Sequence, residues 1–211
     1  SLDIDTFGCD DIGANTVTMT VTDASGNSTV CTSTVTVADT VAPTAVCRNI
    51  NIYLSNTGLA SIDSLAVNNA SSDACGIASF AVTPNAFTCA KIGANTVTMT
   101  VVDVHGNSST CTSSVTVSDT VAPVAVCRNI SIQLNSAGHA SIDSLAVNNA
   151  SSDACGIASF VVSPNTFSCT DIGTPVTVTL TVEDVNGNVS TCDAVVTVED
   201  KVAPAIECKN I

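Results

Sequence analysis

The sequence DTVAP at residues 119–123 follows a run that alternates apolar and polar side chains, CTSSVTV at 111–117, and precedes a short apolar run, VAVC at 124–127. Alternation with a period of two is typical of a β-strand. Pro123 fixes its own φ angle and disfavours a helical conformation at the residue before it. The stretch therefore predicts a short, stiff joint between two strands.

The joint recurs as DTVAP at 39–43 and as DKVAP at 200–204, so successive joints are 80 and 81 residues apart. Residues 60–80, ASIDSLAVNNASSDACGIASF, are identical to residues 140–160. A period of this size is longer than a solenoid repeat and matches a small sandwich domain. The expected division is the second half of one repeat (1–39), a first and a second complete repeat (43–119 and 123–200) and the first strand of a further repeat (204–211).

Each complete repeat contains short runs of alternating residues that are separated by turn residues. In the first complete repeat these runs are 46–54, 60–67, 77–82, 95–102 and 109–117. No helical periodicity interrupts them. The pattern predicts an all-β chain of tandem immunoglobulin-like β-sandwich modules of about 80 residues, with a small Greek-key barrel as the alternative.

The chain is strongly acidic, with 5 Lys and Arg against 19 Asp and Glu and a net charge of -14. This charge disfavours phosphate backbones and anionic lipid as partners, so we expect no nucleic acid, and cations are favoured instead. No apolar run is long enough to insert into a membrane. Tryptophan is absent and aromatic residues make up 3%, which disfavours a stacking platform for glycans.

Eleven cysteines recur in register without a CxxC pair or a histidine at metal-ligand spacing. This spacing favours disulfides over zinc, and disulfides indicate an oxidising, extracellular compartment. An aromatic-poor module of about 80 residues has only a small core, so these bonds should contribute much of its stability. The equivalent positions are Cys9, Cys89 and Cys169; Cys31, Cys111 and Cys192; Cys47, Cys127 and Cys208; Cys75 and Cys155.

The order of the strands indicates how the cysteines pair. The first and last strands of an immunoglobulin-like sandwich run side by side, which favours a bond between them, and the two remaining cysteines of a repeat then pair by elimination. Four cysteines allow three pairings, so other arrangements stay open. Cysteines of the incomplete repeats are expected to have partners outside these residues. The predicted pairs are Cys47–Cys111, Cys75–Cys89, Cys127–Cys192 and Cys155–Cys169.

Aspartates recur at the joints and in two turns of each complete repeat. In the predicted sandwich both turns lie at the end where the chain enters, so we expect the joint aspartate to approach them. Carboxylates in such a group repel each other unless a cation neutralises them, and calcium prefers oxygen ligands. The alternative is that each aspartate caps its own turn. The predicted calcium ligands are Asp39, Asp73, Asp103 and Asn107 in a first site, and Asp119, Asp153, Asp184 and Asn188 in a second site.

Three motifs together resemble a known family: SDACG at 72–76, VDxxGN at 102–107 and DTxAP at the joint. They are similar to the hyalin repeat family, in particular to the cysteine-containing tandem arrays of large bacterial surface and secreted proteins. The resemblance covers the whole chain in register. It implies an immunoglobulin-like fold and a role as a stalk, adhesin or filament module outside the cell. It implies no shared ligand, and the calcium prediction does not rest on it.

The sequence has no nucleophile motif, phosphate-binding loop or isolated carboxylate pair, so we do not expect an enzyme. We interpret the chain as a structural repeat segment of an extracellular fibre, stalk or adhesin at the cell surface. Its expected partners are other copies of the repeat in the same chain, and the involvement of other chains in a fibre stays open. The alternatives are a glycan-binding module of an adhesin and a passive spacer in a secreted multidomain enzyme.

Overall fold

The computed structural model describes residues 1–204 and 206–207 and shows an all-β chain. Most of the strand expected at 204–211, with Cys208, lies outside the described residues. The chain forms two compact units whose boundaries differ from those of the sequence repeats, so the repeat boundaries stay a prediction. The first unit comprises Ser1–Asn51, Ser61–Ala86 and Ala94–Thr116, and the second comprises Ile52–Ala60, Phe87–Gly93 and the residues from Val117 on.

Residues 13–37 form a long antiparallel hairpin. Strand β1 (Gly13–Thr22) pairs with β2 (Ser28–Val37) residue for residue, with Met19 opposite Cys31. Valine and threonine dominate both strands, because β-branched side chains fit a pleated surface well. Gly26 closes the turn between the strands at a φ of +88°, a conformation that L side chains rarely adopt.

Both complete repeats contain a four-stranded sheet and a two-stranded sheet with the same strand order. In the first complete repeat (43–119) the order is β3 (Ile50–Tyr53), β8 (Ser108–Ser118), β7 (Gly93–Asp103) and β5 (Ile77–Thr83). Strand β4 (Leu59–Ser61) pairs with β6 (Ala86–Thr88). In the second repeat the order is β9 (Ile130–Gln133), β14 (Val189–Glu199), β13 (Val176–Asp184) and β11 (Ile157–Ser163), and β10 (His139–Ser141) pairs with β12 (Thr166–Ser168). This confirms the predicted fold class.

The first and last strands of the second complete repeat lie side by side, as an immunoglobulin-like sandwich requires. Strand β9 pairs in parallel with β14, whereas β13 pairs antiparallel with both β14 and β11. One edge of the sheet is therefore formed by β9 and the other by β11. This topology places the hairpin between β13 and β14 in the middle of the sheet.

The two sheets of the second complete repeat enclose one apolar core. Alternate side chains of β13 point inward, so Val178, Leu180 and Val182 are fully buried. Phe167 of β12 and Val147 belong to the same core. Strand β7 shows the same alternation, and its predicted inward face, Val97, Met99 and Val101, is also fully buried.

The strand predicted at 60–67 is wrong in its second half. Strand β4 ends early and a single helical turn follows, α1 (Ser64–Val67). Asp63 caps this turn, because its Oδ1 accepts a hydrogen bond at 2.8 Å from the backbone N–H three residues later. Asp143 caps the equivalent turn α2 (Ser144–Val147) in the same way, at 2.9 Å. A turn of four residues is too short to show helical periodicity in the sequence.

Two apolar residues of α2 provide a matched test of the core. Val147 is 0% exposed and Leu145 is 59% exposed. We expect Val147→Ala to lower the free energy of unfolding by about 2 kcal/mol, because it removes buried methyl groups and leaves a cavity. Leu145→Ala should change it by less than about 0.5 kcal/mol. Urea unfolding measures both, and equal effects of the two substitutions would contradict the assigned core.

Candidate functional site

The joint aspartates each cap the joint that they begin. Asp39 follows β2, and its Oδ1 accepts a hydrogen bond from the N–H of Val41 at 3.0 Å. Asp119 follows β8 directly and accepts the same bond from Val121, also at 3.0 Å. Asp200 makes the equivalent bond after β14. One carboxylate oxygen of each joint aspartate is thus used by the backbone, and Oδ2 is left for other contacts.

The loop aspartates bind the backbone of the turn that leads into β5 or β11. The Oδ1 of Asp73 accepts hydrogen bonds from the N–H groups of Cys75 at 2.8 Å and Gly76 at 3.1 Å. Asp153 makes the equivalent bonds at 2.7 and 3.1 Å. Gly76 has a φ of +110°, which explains the glycine at this position. These contacts fix the loop and again use one oxygen of each carboxylate.

The turn aspartates are the most buried of the group. Asp103, at the end of β7, is 1% exposed. Its Oδ1 accepts hydrogen bonds from the N–H groups of His105 and Asn107 at 2.8 and 2.9 Å, and its Oδ2 accepts one from Asn107 Nδ2 at 2.8 Å. Asp184 is equally buried, and the side chain of Asn188 donates to it at 2.8 Å. Both carboxylates close the hairpin turn that follows them.

Two opposing effects set the pKa of these buried carboxyls. Burial acts to raise the pKa of Asp103 and Asp184, because it disfavours the charged form. The hydrogen bonds from the side chains of Asn107 and Asn188 and from the turn backbone stabilise the charged form and outweigh burial. The pKa of both groups is therefore lowered, and both are carboxylates at neutral pH.

The structure brings the three predicted carboxylates of the first site together. One oxygen atom from each of Asp39, Asp73 and Asp103 lies within 4.8 Å of the others. Sequence reasoning missed His105, whose Nδ1 lies 3.2 Å from Asp39 Oδ2. Its position two residues after the turn aspartate was the available signal. The first site therefore combines three close carboxylates with one ring nitrogen.

The second site differs from the first. Oxygen atoms of Asp119 and Asp153 lie within 4.8 Å of each other and of Cys155 Sγ, and Asp184 does not complete this group among the described residues. The Sγ of Cys155 is in a disulfide and is not available as a thiolate ligand. Asp119 is only 9% exposed, and its Oδ2 has no hydrogen-bond partner. An unpartnered buried carboxylate oxygen is costly, and a bound cation is one way to satisfy it.

The two predicted asparagine ligands tie each hairpin turn to a joint. Asn107 Nδ2 donates to the carbonyl oxygen of Asp39 at 3.2 Å, and Asn188 Nδ2 donates to that of Asp119 at 3.4 Å. These contacts use the amide nitrogen of each side chain. The role of the amide oxygens as metal ligands stays a prediction.

The residue that follows each joint pairs with the loop that carries the second aspartate. Thr44 and Ser72 exchange two backbone hydrogen bonds, at 2.8 and 3.0 Å. Val124 and Ser152 do the same at the same distances. The hairpin turn therefore holds the start of each joint and the loop holds the residue after it, which agrees with the stiffness that the proline predicts.

The disulfides confirm half of the predicted pairing. Cys47–Cys111 and Cys127–Cys192 are present, each with a Cα–Cα distance of 5.8 Å. The predicted pairs Cys75–Cys89 and Cys155–Cys169 are wrong. The structure instead contains Cys9–Cys75 and Cys89–Cys155, each of which connects one sequence repeat with the next. The expectation that Cys9 has its partner outside these residues is therefore also wrong.

The length of a strand explains why the second prediction fails. Cys155 lies just before β11, whose first residue, Ile157, pairs with Asp184 at the end of β13. Cys169 instead lies before the start of β13. Strand β13 has 9 residues, which is about 30 Å, whereas a disulfide requires Cα atoms about 5–6 Å apart. Cys155 and Cys169 are therefore at opposite ends of β13.

A glycine makes room for the sulfur atom at the other end of the strand. A Cβ on Gly58 would lie 2.8 Å from Cys89 Sγ, and a Cβ on Gly138 would lie 2.7 Å from Cys169 Sγ. Cys169 is therefore held like its bonded counterpart Cys89. Cys169 and Cys31 are exposed and unpaired among the described residues.

No protein-family model matches the chain, and no curated protein matches it. The resemblance to hyalin repeats therefore stays a prediction. In the part of the chain that the structure describes, no helix has the length and apolar character needed to cross a membrane. The four disulfides indicate an extracellular or secreted protein.

Several solved structures are similar in fold at low identity. The extracellular cadherin domains 1–4 of protocadherin Gamma B7 are 12% identical, with a TM-score of 0.38, and the match covers 92% of this chain and 59% of that one. Protocadherin Gamma C5 EC1-3 is 11% identical, with a TM-score of 0.39 and coverage of 90% and 78%. The human desmocollin-1 ectodomain is 14% identical, with a TM-score of 0.30 and coverage of 97% and 47%. Likeness at this level carries no argument about function.

Proposed function

We propose that this chain is a structural segment of an extracellular stalk or fibre at a cell surface. Its immunoglobulin-like repeats are joined end to end by disulfides, and calcium stiffens the joints. The observation that carries the proposal is the pair of bonds Cys9–Cys75 and Cys89–Cys155, which connect successive sequence repeats. A covalent link between neighbours at each joint suits a segment that holds its repeats in a fixed order. The proposed partners are other copies of the repeat in the same chain.

The near identity of the repeats supports a structural role over ligand binding. The segment 60–80 contains the loop of Asp73 and is identical to the segment 140–160. Binding modules place function on loops that vary from copy to copy, whereas a repeated structural contact requires the same loop each time. The absence of tryptophan also disfavours a glycan site.

The aspartates can cap their turns and bind calcium at the same time, because the two roles use different oxygen atoms. Asp39, Asp119, Asp73 and Asp153 each use Oδ1 for a backbone N–H. Oδ2 of Asp39 contacts His105 Nδ1, whereas Oδ2 of Asp119 has no partner. Calcium takes several oxygen ligands at about 2.3–2.6 Å, and extracellular modules bind it at about 10⁻⁴ to 10⁻³ M. In the second site the unpartnered Oδ2 of Asp119 supports this proposal most directly.

Antibodies against the folded chain test the proposed location. We expect them to label filaments or the outer surface of intact cells that produce the protein, as seen by immunogold electron microscopy. The acidic, disulfide-bonded repeats provide the physical reason, because such bonds persist outside the reducing cytosol. Label that appears only after the cells are permeabilised would contradict the proposal.

Calcium should raise the melting temperature of the protein. At a Kd of about 1 mM, about 10 mM calcium adds roughly 1.4 kcal/mol per site, enough for a shift of several degrees relative to EDTA. The double variant Asp119→Asn/Asp153→Asn should lose part of this shift. Asp5→Asn, which alters an exposed carboxylate outside both proposed sites, should keep it.

Differential scanning calorimetry measures both effects. Equal melting temperatures of the unaltered protein in calcium and in EDTA would contradict calcium binding. They would leave the disulfide linkage between repeats untouched, because that linkage needs no metal.

A further inference from the structure

The four disulfides that the described residues form overlap along the sequence without a gap. Each loop begins before the preceding loop ends, so every peptide bond from Cys9 to Cys192 is enclosed by at least one disulfide loop. The loops span residues 9–75, 47–111, 89–155 and 127–192.

The joints are where this overlap matters most. The second joint, 119–123, lies outside both strand-to-strand bonds, Cys47–Cys111 and Cys127–Cys192, and of the disulfides among the described residues only Cys89–Cys155 encloses it. In the same way only Cys9–Cys75 encloses the first joint. If every disulfide joined two cysteines of the same repeat, the backbone would be the sole covalent link at every joint.

We propose that the chain is a break-tolerant tether. A single backbone cut at any point between Cys9 and Cys192, including a cut at either joint, leaves the two pieces covalently connected through a disulfide. The exposed joint illustrates the need, since Val41 is 67% exposed and exposed loops are preferred sites of proteolysis. The bonds between repeats protect continuity at the positions that the bonds within repeats leave unprotected.

The same overlap limits how far the chain extends under tension. The backbone from Cys9 to Cys155 is 146 residues long, about 500 Å when fully extended. The route through Cys9–Cys75 and Cys89–Cys155 crosses only the 14 residues between Cys75 and Cys89, about 50 Å. Unfolding of the repeats between these points therefore releases little length. This deepens the proposed role as a stalk, because a tether that barely lengthens keeps its end at a fixed distance.

A site-specific protease tests the proposal directly. Its recognition sequence is inserted in the second joint between Val121 and Ala122, and the purified chain is cut to completion in EDTA. We expect one covalent species on a non-reducing denaturing gel. After reduction we expect two fragments, one from each side of the cut. Two fragments without reductant would overturn the proposal.

The double variant Cys89→Ser/Cys155→Ser is the matched control. It keeps Cys47–Cys111 and Cys127–Cys192, so the same cut should release two fragments without reductant. If its pieces stay connected, Cys89–Cys155 is not the link and the proposal is overturned.

A second insertion site shows that the control variant still folds. The same recognition sequence is placed between Asn186 and Gly187, in a turn that Cys127–Cys192 encloses. A cut there should leave the pieces connected in both backgrounds, and this confirms that the variant forms its remaining bonds. Because the assay contains no calcium, its outcome is independent of the calcium test.

Discussion

The disulfide Cys89–Cys155 is the constraint on which the rest of the second joint depends. It closes a loop of 66 residues, which in the chain-entropy model stabilises the folded chain by about 4 kcal/mol. It also anchors the loop that carries Asp153. That loop pairs with Val124, the residue after the joint, and lies close to Asp119. The bond between repeats and the acidic cluster are therefore two parts of one arrangement, and the first joint repeats it with Cys9–Cys75.

Backbone N–H groups position the aspartates at the joints. Each aspartate is fixed by N–H groups of its own turn, so the carboxylates come close through the turns that they cap. The two sites then diverge at one position. His105 meets Asp39 in the first site, whereas Asn186 stands at the equivalent position in the second and Asp119 Oδ2 has no partner. Of the two sites, the second is therefore the one in which the proposed calcium would satisfy a buried oxygen that has no other partner.

Local patterns in the sequence predicted the strands, because alternation and turn residues act over short distances. The topology of the predicted sandwich then indicated the bond between its first and last strands, whose cysteines are 64 or 65 residues apart. They also predicted that Asp39, Asp73 and Asp103 meet. Elimination within one repeat failed for Cys75 and Cys89, although the predicted strand order already placed these residues at opposite ends of a strand. The capped turn α1 and the exclusion of Asp184 depend on local geometry that periodicity does not encode.

Peptide mapping of the unreduced protein tests the central claim most directly. After free thiols are alkylated, proteolytic fragments are identified by mass spectrometry without reduction. We predict one cross-linked fragment with Cys89 and Cys155, another with Cys9 and Cys75, and alkylation at Cys31 and Cys169. Fragments that join Cys75 to Cys89 and Cys155 to Cys169 would show that each repeat is closed on itself, and they would contradict covalent linkage between repeats.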